Sequence, residues 1–305
     1  MTSAKLRLLV VVNPNASRSA DALPQVSEWF AERSCATVVV AKKKKDLQRI
    51  LKAEGGAADR IVVGGGDGTL SKALPALLEL RKPVAVLPLG TANDFARTLG
   101  LSGDQLQAAE TALGGCEHKI DLGLANGKPY LNVASVGVAS QVVKAQSKAM
   151  KRRWRVLAYA ISLLQAARDL KPFFVELDID DGRRWTGPVY QVSIGNGRYH
   201  GGGLTVAENA AIDDGLLDLY VVYPGTFWQL FACLTHLRFG LMKPNLLDRH
   251  TARRVTLRTS GARPVDTDGR LATKTPVKIS LLREGLTVLV PRNLPENHRG
   301  VSPAR

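Results

Sequence analysis

The sequence lacks a hydrophobic run long enough to cross a membrane as a helix. A spanning helix needs roughly 20 consecutive apolar residues. The best candidate, residues 227–247, is interrupted by His236, Arg238 and Lys243. We therefore expect a protein that is soluble or attached to a membrane only at its surface.

Cysteine is also scarce. The chain has Cys35, Cys116 and Cys233, an odd number with no metal-ligand or redox spacing. Free thiols of this kind are typical of a reducing compartment. We expect a cytoplasmic protein in which the cysteines fill the core.

Acidic residues are few relative to basic ones. Among 305 residues there are 42 Lys and Arg but 27 Asp and Glu, which gives a formal net charge of +15. Such a surface attracts nucleic acids, anionic lipids and polyphosphates alike. The sequence contains no zinc-finger spacing, no aromatic RNA-binding segment and no basic tail of the usual kind. We expect no specific nucleic-acid partner, but charge alone does not choose among the other anions.

The first 120 or so residues alternate short apolar runs with helical segments. The runs predict buried strands over 8–12, 37–40, 61–63 and 83–87, with helices near 21–33, 45–54, 70–81 and 93–99. Continuous apolar strands indicate a parallel sheet covered on both faces, an α/β doubly wound arrangement. The loops 13–18, 64–69 and 88–93 should then meet at the carboxyl edge of the sheet, where such folds bind ligands.

The pattern changes near residue 127 to strands and turns. Strands are predicted over 130–133, 173–179, 185–194, 216–222, 254–259, 277–282 and 287–290, and helices over about 154–170 and 226–241. This favours a mainly antiparallel, β-rich second domain. We divide the chain into an α/β domain over 1–125, a β-rich domain over 126–294 and a tail over 295–305.

One glycine-rich loop follows a predicted strand and opens a helix. Its sequence is Gly64-Gly65-Gly66-Asp67-Gly68-Thr69. Glycines let backbone amides approach a polyphosphate, and the helix N-terminus favours negative charge. Asp67 could orient a nucleotide-bound Mg²⁺. A tight strand-to-helix turn explains one or two glycines, but the full combination favours phosphate binding.

A second loop repeats this arrangement after the next strand. Thr91 could donate its hydroxyl to a phosphate, and Asn93 or Asp94 is placed to cap the following helix. By itself the loop is a well-capped helix start. Beside the first glycine loop, it favours a nucleotide site.

Polar loops also occur in the second half of the chain. They comprise the glycine-rich run 195–203, the acidic turn Asp213-Asp214-Gly215 and the run Val265-Asp266-Thr267-Asp268-Gly269-Arg270. Paired carboxylates suit Mg²⁺ or Ca²⁺, although Asp-Gly is also a common turn.

Together these segments resemble the diacylglycerol kinase-like lipid kinases of the bacterial YegS/BmrU type. The resemblance rests on motifs in the family's order: Asn13-Pro14, Gly65-Gly66-Asp67-Gly68-Thr69, the run from Pro88 to Ala96, Gly201-Gly202-Gly203 with Ala210, and Asp214-Gly215. The glycine-Asp-Gly-Thr element is shared with NAD kinases and phosphofructokinases. The second loop and the later acidic turn point to the lipid branch.

The resemblance implies an ATP site between the domains and an ATP- and Mg²⁺-dependent lipid kinase. It places Asn13, the 65–69 run and Thr91 at nucleotide positions. It places Asp214 on a structural Mg²⁺ site, with backbone carbonyls near Ala211 and Leu216. It also matches Asp268 to the family's catalytic Asp.

Two residues depart from the family pattern. Lys72 and Arg270 stand where Glu is usual. They either supply phosphate-binding cations or record an altered acceptor or lost catalysis. A guanidinium at Arg270 should also favour the ionised form of Asp268. These two residues support one alternative, an inactive nucleotide- or lipid-binding regulator. The other alternative is an NAD kinase-like enzyme.

The expected partner is a lipid substrate at an anionic membrane surface. The acceptor is diacylglycerol or a related lipid, and a homodimer is left open. The basic run Lys151-Arg152-Arg153 and the two apolar helices could contact the membrane, although core packing explains the helices equally well.

Overall fold

The structure is a computed structural model that describes residues 6–41, 46–137, 171–197, 199–200, 204–205, 210–226, 229 and 246–294. The helix predicted over 154–170, most of the one over 226–241, the run Gly201-Gly202-Gly203 and the 295–305 tail lie outside these residues. No helix among the described residues is both long and apolar enough to traverse a bilayer.

The first part of the chain alternates strands and helices, as predicted. The strands are β1 (Arg7–Val12), β2 (Cys35–Val40), β3 (Arg60–Gly65) and β4 (Val84–Pro88), and the helices are α1 (Ser19–Arg33), α2 (Asp46–Glu54), α3 (Asp67–Leu80), α4 (Asp94–Thr98) and α5 (Gln105–Gly114). Short 3₁₀ turns cover Gly55–Ala57 and Asp180–Gly182. The strands pair in parallel in the order β2-β1-β3-β4. Val10 and Val11, which follow each other in β1 and so point to opposite faces of the sheet, are both fully buried, as expected in a parallel sheet.

The remaining strands are mostly antiparallel. They are β5 (Cys116–Ala125), β6 (Lys128–Tyr130), β7 (Val133–Gly137), β8 (Phe173–Ile179), β9 (Arg183–Val189), β10 (Gln191–Gly195), β11 (Tyr199–His200), β12 (Leu204–Thr205), β13 (Leu217–Val222), β14 (Leu247–Ala252), β15 (Arg254–Thr259), β16 (Pro264–Thr267), β17 (Arg270–Lys274) and β18 (Val277–Val290). This arrangement confirms the predicted fold class.

Strand β18 joins the two halves of the molecule. It pairs with β15 and β5 in antiparallel fashion, and at Val288 it pairs in parallel with Val84 of β4. The parallel sheet therefore continues through β18 into β15, β8 and β9. The boundary between residues 125 and 126 stays a prediction, but residues near the C-terminus clearly contribute to the first core.

A second sheet has the strand order β14-β13-β10-β7-β16-β17, which makes β17 an edge strand. A second hydrophobic core contains residues of both sheets, including Val175, Val192 and Leu219. Apolar side chains alternate along these strands, as expected where one face packs and the other is polar.

Several predicted boundaries were wrong. The strand predicted over 185–194 is two strands that break at Tyr190, where the chain passes from one sheet to the other. The strand predicted over 130–133 is also broken, between β6 and β7. The loop predicted around 265–270 is a hairpin of β16 and β17. In each case a local β-rich pattern could not show which sheet its residues join.

Strand β5 and helix α5 were not predicted from the sequence. Asp104 caps α5 by accepting bonds from the amides of Leu106 and Gln107, so a capping signal was present. Cys116 begins β5 and is exposed, which corrects the expectation that it fills the core. The first residues of β5 extend beyond the buried part of the sheet.

Candidate functional site

The first glycine loop leads into a helix whose N-cap makes no side-chain hydrogen bond. Strand β3 ends at Gly65 and α3 begins at Asp67, with Gly66 at the N-cap and no side-chain cap bond. Gly68 is exposed, and a Cβ added there would meet nothing within 4 Å. The first amides of a helix lack partners within the helix and carry partial positive charge. This end of α3 can therefore receive an anion such as a phosphate.

The two predicted phosphate loops touch each other through glycine backbone. A Cβ on Gly90 would lie 2.4 Å from the Cα of Gly66 and 2.7 Å from Oδ1 of Asn93. A Cβ on Gly65 would lie 2.6 Å from Oγ1 of Thr69. Side chains cannot fit at these distances, so the loops require glycine to come together.

Asn13 and Thr69 are brought together, whereas Thr91 lies further out. The side-chain amide of Asn13 donates to Oγ1 of Thr69 at 2.9 Å, and Thr69 is buried. This bond ties the loop after β1 to the first turn of α3. Thr91 is exposed, and its hydroxyl lies 3.4 Å from that of Ser17. The convergence of three loops at the carboxyl edge of the parallel sheet matches the sequence prediction.

Asp67 caps helix α4 from a distance of 27 residues in sequence. Its Oδ2 accepts from the amide of Asp94 at 3.1 Å, and its Oδ1 accepts from that of Phe95 at 2.9 Å. Asn93 occupies the N-cap position, as predicted, but its side chain makes no capping bond. The side chain of Asn93 instead bonds to both backbone groups of Gly90. Asp67 thus fixes the second loop against the first.

Asp268 sits at the tip of the β16–β17 hairpin. Asp268 and Gly269 have φ angles of 49° and 76° between the paired residues Thr267 and Arg270. Two central residues with positive φ define a type I′ turn, for which Asp-Gly is a favoured sequence. The Asp-Gly pair is therefore a turn by conformation. The carboxylate of Asp268 also accepts hydrogen bonds from outside the hairpin.

The carboxylate of Asp268 faces the break between β6 and β7. Oδ2 accepts from the amide of Leu131 at 2.9 Å, while Oδ1 accepts from Asn132 at 2.8 Å and Val133 at 3.1 Å. The carbonyl of Val133 in turn accepts from the amide of Asp268 at 3.0 Å. Because a carboxylate has about four acceptor positions, Oδ2 keeps the capacity to accept a further hydrogen bond.

Asn132 connects the two carboxylates that the sequence singled out. Its amide binds Asp268, and its side-chain Nδ2 lies 3.4 Å from Oδ1 of Asp67. Burial raises the pKa of Asp268, and the charge of Asp67 raises it further against the lowering effect of the three amides. Asn132 is 6% exposed. Asn132 was not predicted as a site residue, because it lies inside a predicted strand and no local motif distinguishes it.

The acidic turn forms a second cluster. Oδ1 of Asp214 accepts from the amide of Leu216 at 2.9 Å, and Oδ2 accepts from that of Ala211 at 3.5 Å. The three predicted metal-site residues are thus close together, but it is the backbone amides of Ala211 and Leu216 that contact Asp214, whereas the prediction named their carbonyls. Partial burial raises the pKa of Asp214, as do the neighbouring charges of Asp213 and Asp121. Within the described part of the chain, no three His, Cys, Asp or Glu side chains form a metal-binding group.

A hydrogen-bonded connection links this turn to the central site. Oδ2 of Asp121, a buried residue, accepts from the amide of Gly215 at 2.9 Å. The backbone carbonyl of Asp121 accepts from Nδ2 of Asn196 at 2.7 Å. The amide of Asn196 then donates to the carbonyl of Asn132 at 2.8 Å. The turn and the Asp67–Asp268 pair are therefore held in a fixed relation.

Lys72 and Arg270 occupy different surroundings. Lys72 lies one helical turn after Gly68 on α3, on the same face. Arg270 begins β17 and is exposed, and its amide donates to the carboxylate of Asp266. Arg270 was expected to favour ionised Asp268, but the pKa of Asp268 is raised. Enclosure of the carboxylate outweighs any effect of the exposed guanidinium.

Two family models match the chain. The diacylglycerol kinase catalytic domain matches residues 7–125, and the YegS C-terminal NAD kinase beta sandwich-like domain matches residues 132–290. The Asp67 loop falls in the first match and Asp268 in the second.

Two curated proteins with similar sequences carry a YegS-like lipid kinase name. A protein of Pseudomonas syringae pv. tomato named "Probable lipid kinase YegS-like" is 34% identical over 254 residues, 82% of each chain. One of the same name from Chromohalobacter salexigens is 36% identical over 167 residues, which span only 53% of each chain.

Solved structures resemble the whole chain. The crystal structure of a diacylglycerol kinase from Bacillus anthracis str. Sterne has a TM-score of 0.75 and 26% identity, covering 96% of this chain and 100% of that one. A second solved chain from the same strain has a TM-score of 0.83 and 27% identity at the same coverage.

Proposed function

Because this chain belongs to the YegS-type family of diacylglycerol kinase-like lipid kinases, we propose that it transfers the γ-phosphoryl group of ATP to a hydroxyl of diacylglycerol or a related lipid. Membership of a kinase family implies a nucleotide donor. The observation that supports the proposal best is the joining of Asp67 and Asp268 through Asn132, beside the open N-terminus of α3.

In the proposed reaction, the acceptor oxygen forms a bond to the γ-phosphorus while the bond to the β-phosphate oxygen breaks and ADP leaves. Oδ2 of Asp268 accepts the proton of the attacking hydroxyl. Its raised pKa suits this role, because a base with a pKa nearer the working pH is better matched to proton transfer. The amides at the start of α3 hold the phosphates. Phosphoryl transfer depends mainly on such positioning and electrostatics.

The residues present are compatible with Mg²⁺, which we propose as the cofactor. Carboxylate, backbone carbonyl and water oxygens are the ligands that Mg²⁺ prefers. Burial raises the pKa of Asp214, and the charges of two neighbouring carboxylates, those of Asp213 and Asp121, raise it further, so a cation would relieve that repulsion. We propose that Asp214 and the backbone carbonyls of Ala211 and Leu216 form a structural Mg²⁺ site. We propose that Asp67 orients an Mg²⁺ ion bound with the nucleotide, which would neutralise phosphate charge.

The test is transfer of radiolabelled γ-phosphate from ATP to a total lipid extract by the purified protein. A labelled lipid that forms only with Mg²⁺ present is expected, and its mobility identifies the acceptor class. Label transferred to NAD instead would favour the NAD kinase-like alternative. Labelling of neither acceptor, by protein that still binds ATP, would favour the inactive regulator suggested by Lys72 and Arg270.

Two glycine substitutions should affect stability and ATP binding differently. Gly90→Ala places a methyl group against backbone, so we expect the free energy of unfolding to fall by about 1–3 kcal/mol. Gly68→Ala has open space and improves helix propensity, so stability should stay equal or rise by up to about 1 kcal/mol. We still expect weaker ATP binding in Gly68→Ala, because the methyl group obstructs the phosphates. Denaturant titration measures the stability of both variants, and calorimetry measures their affinity for ATP. If Gly68→Ala binds ATP with wild-type affinity, the phosphates do not bind at the N-terminus of α3.

We also propose a cytoplasmic protein that associates peripherally with anionic membranes. The net charge of +15 motivates this. Vesicles containing phosphatidylglycerol should sediment the protein at low salt and release it as salt rises, because screening becomes effective beyond roughly 8–10 Å at physiological ionic strength. Vesicles of phosphatidylcholine alone are the control. Equal binding to both vesicles at every salt concentration would contradict an electrostatic contribution.

A further inference from the structure

The hairpin that presents Asp268 also exposes a large apolar side chain. Leu271, three residues after Asp268, is 61% exposed. In the described part of the chain, the other exposed large apolar residues are Phe174 at 49% and Leu282 at 37%. Leu271 lies on β17, the edge strand of its sheet. Its exposed side chain therefore lies at the border of the sheet.

The charged side chains that β17 itself carries are both basic, and a third cation reaches the strand. Arg270 and Lys274 are exposed on β17, and Nζ of Lys128 lies 2.6 Å from the carbonyl of Ala272. The two carboxylates of the hairpin point inward. Asp266 is 8% exposed and accepts from hairpin amides, and Asp268 accepts from the 131–133 amides.

A lipid acceptor constrains where the base must be. Its acyl chains keep the reacting hydroxyl at the membrane interface, so Asp268 has to approach that interface. Strand β17, which follows Asp268, carries the exposed Leu271 and two cations, and Lys128 of β6 reaches the same strand. Apolar anchors flanked by Lys and Arg are the features that hold a protein at an anionic interface.

We infer that the β17 edge, defined as Arg270, Leu271 and Lys274 with Lys128, docks on an anionic lipid surface and places Asp268 at the depth of the acceptor hydroxyl. Leu271 enters the interface, and the three cations contact lipid phosphates. This inference rests on the proposed lipid kinase function. It assigns Arg270 to membrane attachment rather than to the transferred phosphoryl group.

A second copy of the chain is the other possible occupant of an open strand edge. The backbone of this edge does not favour pairing with a second copy. The register between β16 and β17 shifts between Val265 and Asp266, which leaves Ala272 without a partner residue on β16. Bulges and exposed cations on an edge strand oppose pairing between sheets. Lipid phosphates are complementary to those cations, whereas another β17 edge would repel them.

The experiment compares Leu271→Asp with Phe174→Asp in the full chain. Both replace an exposed apolar side chain with a carboxylate, but Phe174 lies on β8 in the other sheet. Sedimentation with vesicles of phosphatidylcholine and phosphatidylglycerol is measured without ATP. We expect at least about tenfold weaker binding for Leu271→Asp, equivalent to about 1.4 kcal/mol, and a change within about twofold for Phe174→Asp. Equal losses in both variants would overturn the assignment to the β17 edge.

A second readout separates this inference from the proposed function. Leu271→Asp should raise the apparent KM for diacylglycerol in vesicles while leaving transfer to short-chain diacylglycerol in detergent close to wild type. If wild-type protein transfers phosphate to no lipid but Leu271→Asp still loses vesicle binding, the docking surface stands and the kinase function fails. If transfer occurs and Leu271→Asp behaves as wild type in vesicles, the docking surface is wrong. Dissociation of a dimer by Leu271→Asp without a change in vesicle binding would identify a second copy as the occupant instead.

Discussion

Asp268→Asn is expected to lower phosphoryl transfer by about 10³-fold while ATP binds with nearly unchanged affinity. The carboxylate is the proposed acceptor of the hydroxyl proton, and general bases contribute roughly 10²–10⁴-fold. Asn keeps an oxygen for the amides of Asn132 and Val133. Its NH₂ group then faces the amide of Leu131, which should cost about 1–3 kcal/mol of stability. Single-turnover transfer and ATP calorimetry measure the two effects separately.

Asp266→Asn is the matched control for this substitution. Asp266 lies on the same hairpin, accepts backbone amides of Gly269 and Arg270, and also has a pKa raised by burial. It should therefore lose comparable stability but keep most of its transfer activity. A similar loss of activity in both variants would show that hairpin integrity, rather than a base at Asp268, controls the reaction.

The pH dependence gives an independent check on Asp268. A base must be ionised to accept a proton, and the pKa of Asp268 is raised from its ordinary value of 3.8. Activity should therefore fall as pH decreases through a pKa above that of an ordinary Asp. The acid limb of kcat/KM should be missing from the residual activity of Asp268→Asn. An acid limb unchanged in the variant would belong to another group.

Asn132→Asp should reduce transfer by at least about 10²-fold and lower the free energy of unfolding by about 2–3 kcal/mol. The substitution replaces the donor to Asp67 with a carboxylate, and hydrogen bonds to charged groups contribute about 1.5–3 kcal/mol. Three carboxylates would then share one buried location. Denaturant titration at two pH values, together with transfer kinetics, measures both effects.

The stability deficit of Asn132→Asp should shrink as pH falls. Burial beside Asp67 and Asp268 raises the pKa of the introduced carboxyl in the folded state above its unfolded value. The folded state then binds the proton more tightly, so lower pH stabilises the variant relative to wild type. Asn126→Asp is the control, because Asn126 is exposed and bonds to the amide of Lys278 and to Thr273 and Pro276. A pH-independent deficit at Asn132 would mean that packing, not charge, explains its role.

The sequence by itself determined the parts of the fold that depend on local pattern. Strands β1–β4 are continuous apolar runs, and such runs fit a buried parallel sheet whatever surrounds them. The glycine loops could be read as phosphate loops because they follow strands and open helices. Asp268-Gly269 could be read as a turn, since the type I′ conformation is a property of two residues. The family resemblance rested on these same local motifs.

Only the tertiary structure decided which distant groups meet. Asp67 caps α4 because two loops approach through Gly66 and Gly90, and the sequence alone favoured the nearer Asn93 and Asp94. The break at Asn132 frees three amides for Asp268, 135 to 137 residues away in the chain. Hydrogen bonds at such separations depend on the order of strands in two sheets. That order is set by the packing of whole strands and leaves no signal in the residues on either side of Asn132.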